Sequence, residues 1–193
     1  MRGTQDQREA IITAAAEIFS RFGLEKTTME DIARSARKSK SALYYYFKSK
    51  EEVFAEVIRK EIAGLKHAIR EAVEREDDPY YRFRTFVRTR LDYLNKKADQ
   101  YTTVKDEYLK HYAFINSLTE EYSNWEVSTL KGIVEYGRDR GLFEVTDTAA
   151  VSEALFFALK GLEYPWAINY SREEIARHVE VLIDLLLRGI SRR

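Results

Sequence analysis

Residues 39–47 read SKSALYYYF, and they hold the side chains best placed for chemistry in this chain. Taken as a short helix opened by Ser39, they turn Leu43 and Phe47 to one face and Lys40, Ser41, Tyr44 and Tyr45 to the other. That outer face suits a DNA major groove. Lys40 can donate to guanine O6 and N7 or to a phosphate, and Ser41 to a base edge or a phosphate. The tyrosines can set hydroxyls on phosphates and rings against thymine methyls. Three consecutive tyrosines cannot all point inward, because neighbouring helical residues lie about 100° apart. At least one must be exposed, with Tyr46 and Phe47 expected in the core.

Cations and hydroxyls on either side extend the surface. Thr27 and Thr28 stand where a preceding helix begins, and backbone N–H groups there form an anion site strengthened by the helix dipole. Lys48 and Lys50 offer the same at the start of the helix that follows, and Arg37 and Lys38 occupy the turn before Ser39. Residues 1–50 hold 10 Lys/Arg against 6 Asp/Glu, although the whole chain balances at 32 of each. A basic head on an acidic body concentrates phosphate affinity at one end.

Other chemistries find little support. Cysteine is absent, which excludes disulfides, thiolate metal sites and cysteine nucleophiles. His67, His111 and His178 lack metal-ligand spacing, and neither an HExxH motif nor a glycine-rich phosphate loop occurs. No catalytic residue, metal or cofactor is expected. No apolar run approaches the ~18–20 residues that span a bilayer, and the N-terminus carries no apolar signal segment; the expectation is a cytoplasmic protein without a membrane partner.

The elements that position these residues are all helical; no convincing strand, repeat or low-complexity linker is present. Ile11, Ile12, Ala15, Ile18, Phe19 and Phe22 recur at helical spacing, predicting a first helix over 5–22 that stops at Gly23. Thr27 with Glu30, or Thr28 with Asp31, caps a second helix running to about Ala36. Ser49 with Glu52 opens a long fourth helix that must end before Pro79. Further helices are expected at 79–97, 100–113, 117–139, 147–169 and 171–189, the last opened by Ser171 and Glu174.

The ordered set IITAAAEIFSRFGLEKTTMEDIA, SKSALYYYF and KSKEEVF, between Arg8 and Phe54, resembles the TetR family of bacterial transcriptional regulators. The departure lies in the turn, where that family usually has a glycine and an apolar residue and this chain has Arg37 and Lys38. Either Arg37 adopts a left-handed backbone at about 1 kcal/mol, or the turn is built differently.

The resemblance implies an all-α fold of about nine helices. Residues 1–48 would be a helix-turn-helix DNA-binding domain and 49–193 an effector-binding and dimerisation domain. It implies a homodimer on a pseudo-palindromic operator in double-stranded DNA, released by a small hydrophobic effector. An aromatic-rich cavity is expected from Phe86, Tyr93, Tyr108, Tyr112, Trp125, Phe157, Tyr164 and Trp166. A four-helix dimer interface is expected from Leu155, Leu159, Leu162, Val179, Leu182 and Leu186. The alternative is a helical small-molecule carrier or adaptor without specific DNA binding.

Overall fold

A computed structural model describes residues 2–100, 111–162 and 171–191, apart from the side chains at 2–3, 98–100 and 112–113. Among the described residues, nine helices follow one another: α1 (Arg2–Lys26), α2 (Met29–Ser35), α3 (Lys40–Tyr46), α4 (Lys50–Glu74), α5 (Pro79–Gln100), α6 (Tyr112–Leu118), α7 (Glu120–Asp139), α8 (Thr148–Lys160) and α9 (Arg172–Ile190). They form two compact units, one of residues 1–63 and 96–119, the other of residues 64–95 and 120–193. No described helix is long and apolar enough to cross a membrane.

In the first unit the chain ends its opening helix where glycine allows it. Gly23 takes a left-handed backbone (φ 75, ψ 174) inside the span of α1. Phe22, expected on the apolar face, is exposed instead, because the turn at Gly23 swings Leu24 into the core in its place. Ile11, Ile12, Ala15 and Phe19 from α1 join Ile32 and Ala33 from α2, Leu43 and Phe47 around α3, and Val53, Phe54 and Val57 from α4 in one apolar cluster. Phe19 meets Phe54 edge-on at 5.2 Å, and Phe114 of α6 stacks on Phe54 at 6.3 Å.

Caps decide between the alternatives the sequence left open. Thr28, not Thr27, opens α2: its hydroxyl accepts from Asp31 N at 3.2 Å while Asp31 Oδ2 accepts from Thr28 N at 3.1 Å. The Ser49 hydroxyl accepts from Glu52 N at 3.3 Å, but the Glu52 carboxylate reaches one residue further back, to Lys48 N at 2.6 Å. At the end of α2, Lys38 N donates to Ala33 O and Arg37 N to Arg34 O, at 2.9 and 3.1 Å. This is the paired closure usually built around glycine, and here Arg37 itself adopts the left-handed backbone (φ 53).

The second unit draws its core from the far half of α4 (Leu65, Ile69, Val73), from α5 (Phe83, Phe86, Val87), from α7 (Leu130, Ile133, Val134), and from α8 and α9. Pro79 starts α5 with Asp78 capping it, Asp78 Oδ1 accepting from Tyr80 N at 2.7 Å. Ser171 and Glu174 cap α9 reciprocally. The helix expected over 117–139 is divided at Thr119, whose N–H turns back onto Ile115 and Asn116 before α7 begins with two acids in its first turn. The stretch expected to run on to 169 leaves the helix after Lys160, and residues 163–170 lie outside the described residues, as do 101–110 of the expected 100–113 helix.

Beyond α7, Gly141 (φ 69) reverses the chain and lays Phe143 across Gly137. A Cβ at Gly137 would lie 2.1 Å from the Phe143 ring, whereas one at Gly132 on the same helix would meet nothing within 4 Å. Gly137→Ala is therefore expected to destabilise the chain by about 1–3 kcal/mol through overpacking. Gly132→Ala should stabilise it by about 0.5–1 kcal/mol through helix propensity. Urea midpoints moving in the same direction for both would contradict this account of Phe143. Arg37→Gly should raise the midpoint by about 0.5–1 kcal/mol, since relief of the left-handed strain exceeds the backbone entropy that glycine adds to the unfolded chain. A lowered midpoint would show that Arg37 makes contacts worth more than its strain.

Candidate nucleic-acid interface

The candidate recognition surface is assembled from α2, the Arg37 turn and α3. Ser39 caps α3, its hydroxyl accepting from Ala42 N at 3.1 Å and lying 3.0 Å from the Ser41 hydroxyl. Leu43 and Phe47 are buried beneath the helix. Their burial fixes its rotation and turns Ser41, Tyr44 and Tyr45 to solvent; Tyr45 is 78 % exposed. Tyr46 is half-buried, edge-on to Tyr45 at 5.0 Å, with its hydroxyl donating to Gln7 Oε1 at 3.3 Å. Arg37 and Lys48 are exposed beside this face, and Lys38 is half-buried.

Besides Ser39 and Ser41, four more of the expected cations and hydroxyls have partners within the protein. The Thr27 hydroxyl is buried and donates to Gly23 O at 2.6 Å, where it secures the end of α1. Thr28 is committed to the capping box. The Lys50 ammonium donates to Leu24 O and Glu25 O at 2.8 and 3.0 Å, tying the start of α4 to the last turn of α1. Lys40 is ion-paired with Glu30 across the helix-turn-helix. That pair holds the Glu30 carboxyl below its usual range and lifts the Lys40 ammonium above its own. Thr28 hydrogen bonds likewise depress the Asp31 carboxyl, and Asp31 pairs with Arg34.

Sequence reading missed Glu30 as a partner of Lys40, because the two are ten residues apart and meet only when α2 and α3 cross. It also missed Arg8, which lies 5.0 Å over the Phe47 ring and pairs with Glu56 at 2.6 Å. The two contacts of Arg8 attach the end of α3 to α1 and α4.

In the second unit the expected pocket residues separate. Phe86 is fully buried. The Tyr93 hydroxyl rests where a Cβ on Gly64 would come within 2.5 Å of it. Trp125 is half-buried and stacks on Tyr122 at 5.7 Å. Phe157 is 67 % exposed and walls no interior space: it lies two residues from both Leu155 and Leu159, which turn inward, and two helical residues are separated by about 200°. Tyr108, Tyr164 and Trp166, and the side chain of Tyr112, lie outside the described residues. Of the expected interface residues, Leu155, Leu159 and Val179 are buried in the chain's own core, and Leu162, Leu182 and Leu186 are half-buried. The large apolar groups left exposed on α8 and α9, among the described residues, are Phe157, Val181 and Leu185.

Comparison with known proteins agrees with this geometry. Residues 11–57 match the family model described as bacterial regulatory proteins, tetR family. The chain is 26 % identical over 188 residues to the "Probable acrEF/envCD operon repressor" of Escherichia coli, covering 94 % of this chain and 85 % of that one. It is 28 % identical over 203 residues to the HTH-type transcriptional repressor NicS of Pseudomonas putida, covering 96 % and 92 %. The fold is shared with a TetR-family transcriptional regulator from Pectobacterium atrosepticum, with a TM-score of 0.84, 20 % identity and coverage of 100 % and 98 %. The chain carries the tetR-family DNA-binding region at residues 11–57 and is a DNA-binding transcriptional regulator.

Proposed function

We propose that this regulator is a homodimeric repressor that holds a pseudo-palindromic operator through two copies of α3 and leaves it when a small hydrophobic effector occupies the second unit. The observation that carries the DNA half of this reading is the outward face of α3, with Ser41, Tyr44 and Tyr45 exposed over buried Leu43 and Phe47. Repression is supported by two relatives described as repressors, each aligned with more than nine-tenths of this chain.

In this reading Tyr44, Tyr45 and Ser41 meet base edges and phosphates, while Arg37, Lys38 and Lys48 grip the backbone. Ser39 and Thr28 present backbone N–H groups at their caps, and Thr27 and Lys50 act by holding the ends of α1 and α4. Lys40 exchanges Glu30 for DNA on binding. Residues 1–48 read DNA, and residues 49–193 bind the effector and dimerise. Phe157, Val181 and Leu185, flanked by Leu182 and Leu186, supply the apolar surface for a second copy.

Effector and operator are linked through conformation. An effector that prefers a spacing of the two α3 helices unlike that of the operator weakens DNA binding, and DNA weakens effector binding by the same factor. Helix α4, continuous from Lys50 to Glu74, is the stiff element able to carry that change.

Selection of bound fragments from a random DNA pool tests the dimeric reading. The expected product is an inverted repeat whose half-sites lie about 34 Å, one helical turn, or a multiple of it apart. A lone half-site would exclude paired recognition helices, and Tyr44→Ala with Lys40→Ala should abolish the selection. Arg37→Ala with Lys38→Ala should weaken binding to all sequences alike and reduce the slope of log affinity against log salt by about 2, one per phosphate contact. An unchanged slope would assign both cations to solvent.

A further inference from the structure

The second unit contains a polar group that its own fold leaves incomplete. Arg90 of α5 and Glu126 of α7 pair inside the core, Arg90 Nε donating to Glu126 Oε1 at 2.6 Å. Tyr122 stands one turn before Glu126 on α7. Arg90, Glu126 and Tyr122 retain only 7, 1 and 6 % of their surface. Even so, among the described residues neither Glu126 Oε2 nor the Tyr122 hydroxyl meets a partner in hydrogen-bond geometry, although the two groups lie close enough to influence one another. Buried polar atoms in folded proteins are nearly always satisfied, so two orphans on neighbouring turns of one helix point to a group that completes them.

The chemistry of that group follows from what is missing. A carboxylate oxygen can only accept a hydrogen bond, whereas a phenol can donate one. Burial, and after it the Glu126 charge, pushes the Tyr122 phenol far above its ordinary range, so it remains a hydroxyl. The completing group must therefore offer one donor and one acceptor, as a hydroxyl or a primary amide does. Charge narrows the choice further. Arg90 and Glu126 already cancel, so an incoming carboxylate would face Glu126 with no spare cation, and an incoming ammonium would leave a net charge buried.

A narrow apolar cleft reaches the Arg90 end of this group. Its other walls include Val87, Leu91, Leu94, Leu159 and Ile175 from α5, α8 and α9. Its volume is about 20 Å³, room for about one water molecule. A hydrocarbon body entering here must part α8 and α9 from α5, which is the kind of displacement an effector needs to make. Trp125, stacked on Tyr122, provides an optical signal at the same place.

We propose that Arg90, Glu126 and Tyr122 form the polar anchor of the effector site, selecting a neutral amphipath, an alcohol or primary amide on a hydrocarbon body, over the corresponding acid or amine. This rests on the reading that the second unit takes an effector. The test is titration of the full-length chain, in a Trp166→Phe background, with 4-phenylbutan-1-ol, 4-phenylbutyrate and 4-phenylbutylamine, following Trp125 fluorescence. The alcohol should bind at least ~10-fold more tightly than either charged homologue, each 10-fold step being about 1.4 kcal/mol. Tyr122→Phe should remove about that factor. Glu126→Gln should narrow the preference over the acid, because the buried carboxylate that repels it is then gone. If Glu126→Gln fails to keep its helical circular dichroism, Tyr122→Phe decides alone.

Equal binding of the three probes, or a preference indifferent to Tyr122→Phe, would overturn the proposal. Binding by none of them would do the same, leaving a buried water as the partner of the two atoms. Operator affinity measured alongside separates the two claims. Selective alcohol binding that leaves operator affinity unchanged removes the effector reading and keeps the anchor. Operator release by acid and alcohol alike, insensitive to Tyr122→Phe, keeps the effector reading and removes the anchor.

Discussion

Burial of Leu43 and Phe47 is the constraint from which the DNA-reading surface follows. Helices α2 and α3 have seven residues each, well under the ~12–15 at which an isolated helix becomes even marginally stable in water. Neither holds its shape by hydrogen bonding alone. Each exists because its inner residues complete a core that α1 and α4 begin, and each fully buried apolar side chain there contributes about 1.5–3 kcal/mol. Since the inner face of α3 is fixed by that packing, its outer face is fixed too. Arg8, set between the Phe47 ring and the Glu56 carboxylate, fastens the end of α3 from a third direction.

Electrostatics then adjusts what that surface offers. The basic head is less free than its charge count suggests, because Lys40 is held by Glu30, Arg34 by Asp31, and Lys50 by two carbonyls at the end of α1. Glu30 and Asp31 suit the dipole at the start of α2 but oppose an incoming phosphate. Exposed ion pairs such as Lys40–Glu30 contribute little stability, so in the proposed reading a phosphate would displace Glu30 at small cost, while a weaker anion would gain less from doing so. A cation that rests on a carboxylate favours a densely charged partner over diffuse ones.

The second unit is governed by a two-residue rule. On α8, Leu155 and Leu159 face inward and Phe157 outward; on α9, Val179, Ile183 and Leu187 face inward while Val181 and Leu185 face outward. These helices are apolar on opposite sides because each inner stripe serves the core of its own chain, leaving a second stripe outside. Between α5 and α9, Arg84 and Arg88 converge on Glu180, with Asp184 also meeting Arg84. The Arg88 hydrogen bond holds Glu180 below the usual carboxylate range. The buried Arg90–Glu126 pair differs from this surface network in being sealed from water, where an unmet hydrogen-bonding atom has no solvent to fall back on.

The sequence by itself determined that the chain is helical and where most helices begin, since apolar spacing, the Ser39 cap and Ser171 with Glu174 act over three or four residues, but it left Thr27 and Thr28 as alternatives and joined helices that the structure divides. It determined which residues of SKSALYYYF face the core, because Leu43 and Phe47 lie one turn apart. It also singled out Arg37 as the strained position, though the choice of a left-handed arginine over a rebuilt turn required the backbone. Only the tertiary structure decided which cations are engaged: Lys40 with Glu30 and Lys50 with Leu24 are joined by chain reversals, and no local pattern marks them. It alone chose between the two apolar stripes of α8 and α9, since periodicity shows that both exist but not which one the rest of the chain covers. Arg90 and Glu126, thirty-six residues apart, are paired and enclosed only by packing; burial is a property of the assembled fold, and no window of sequence contains it.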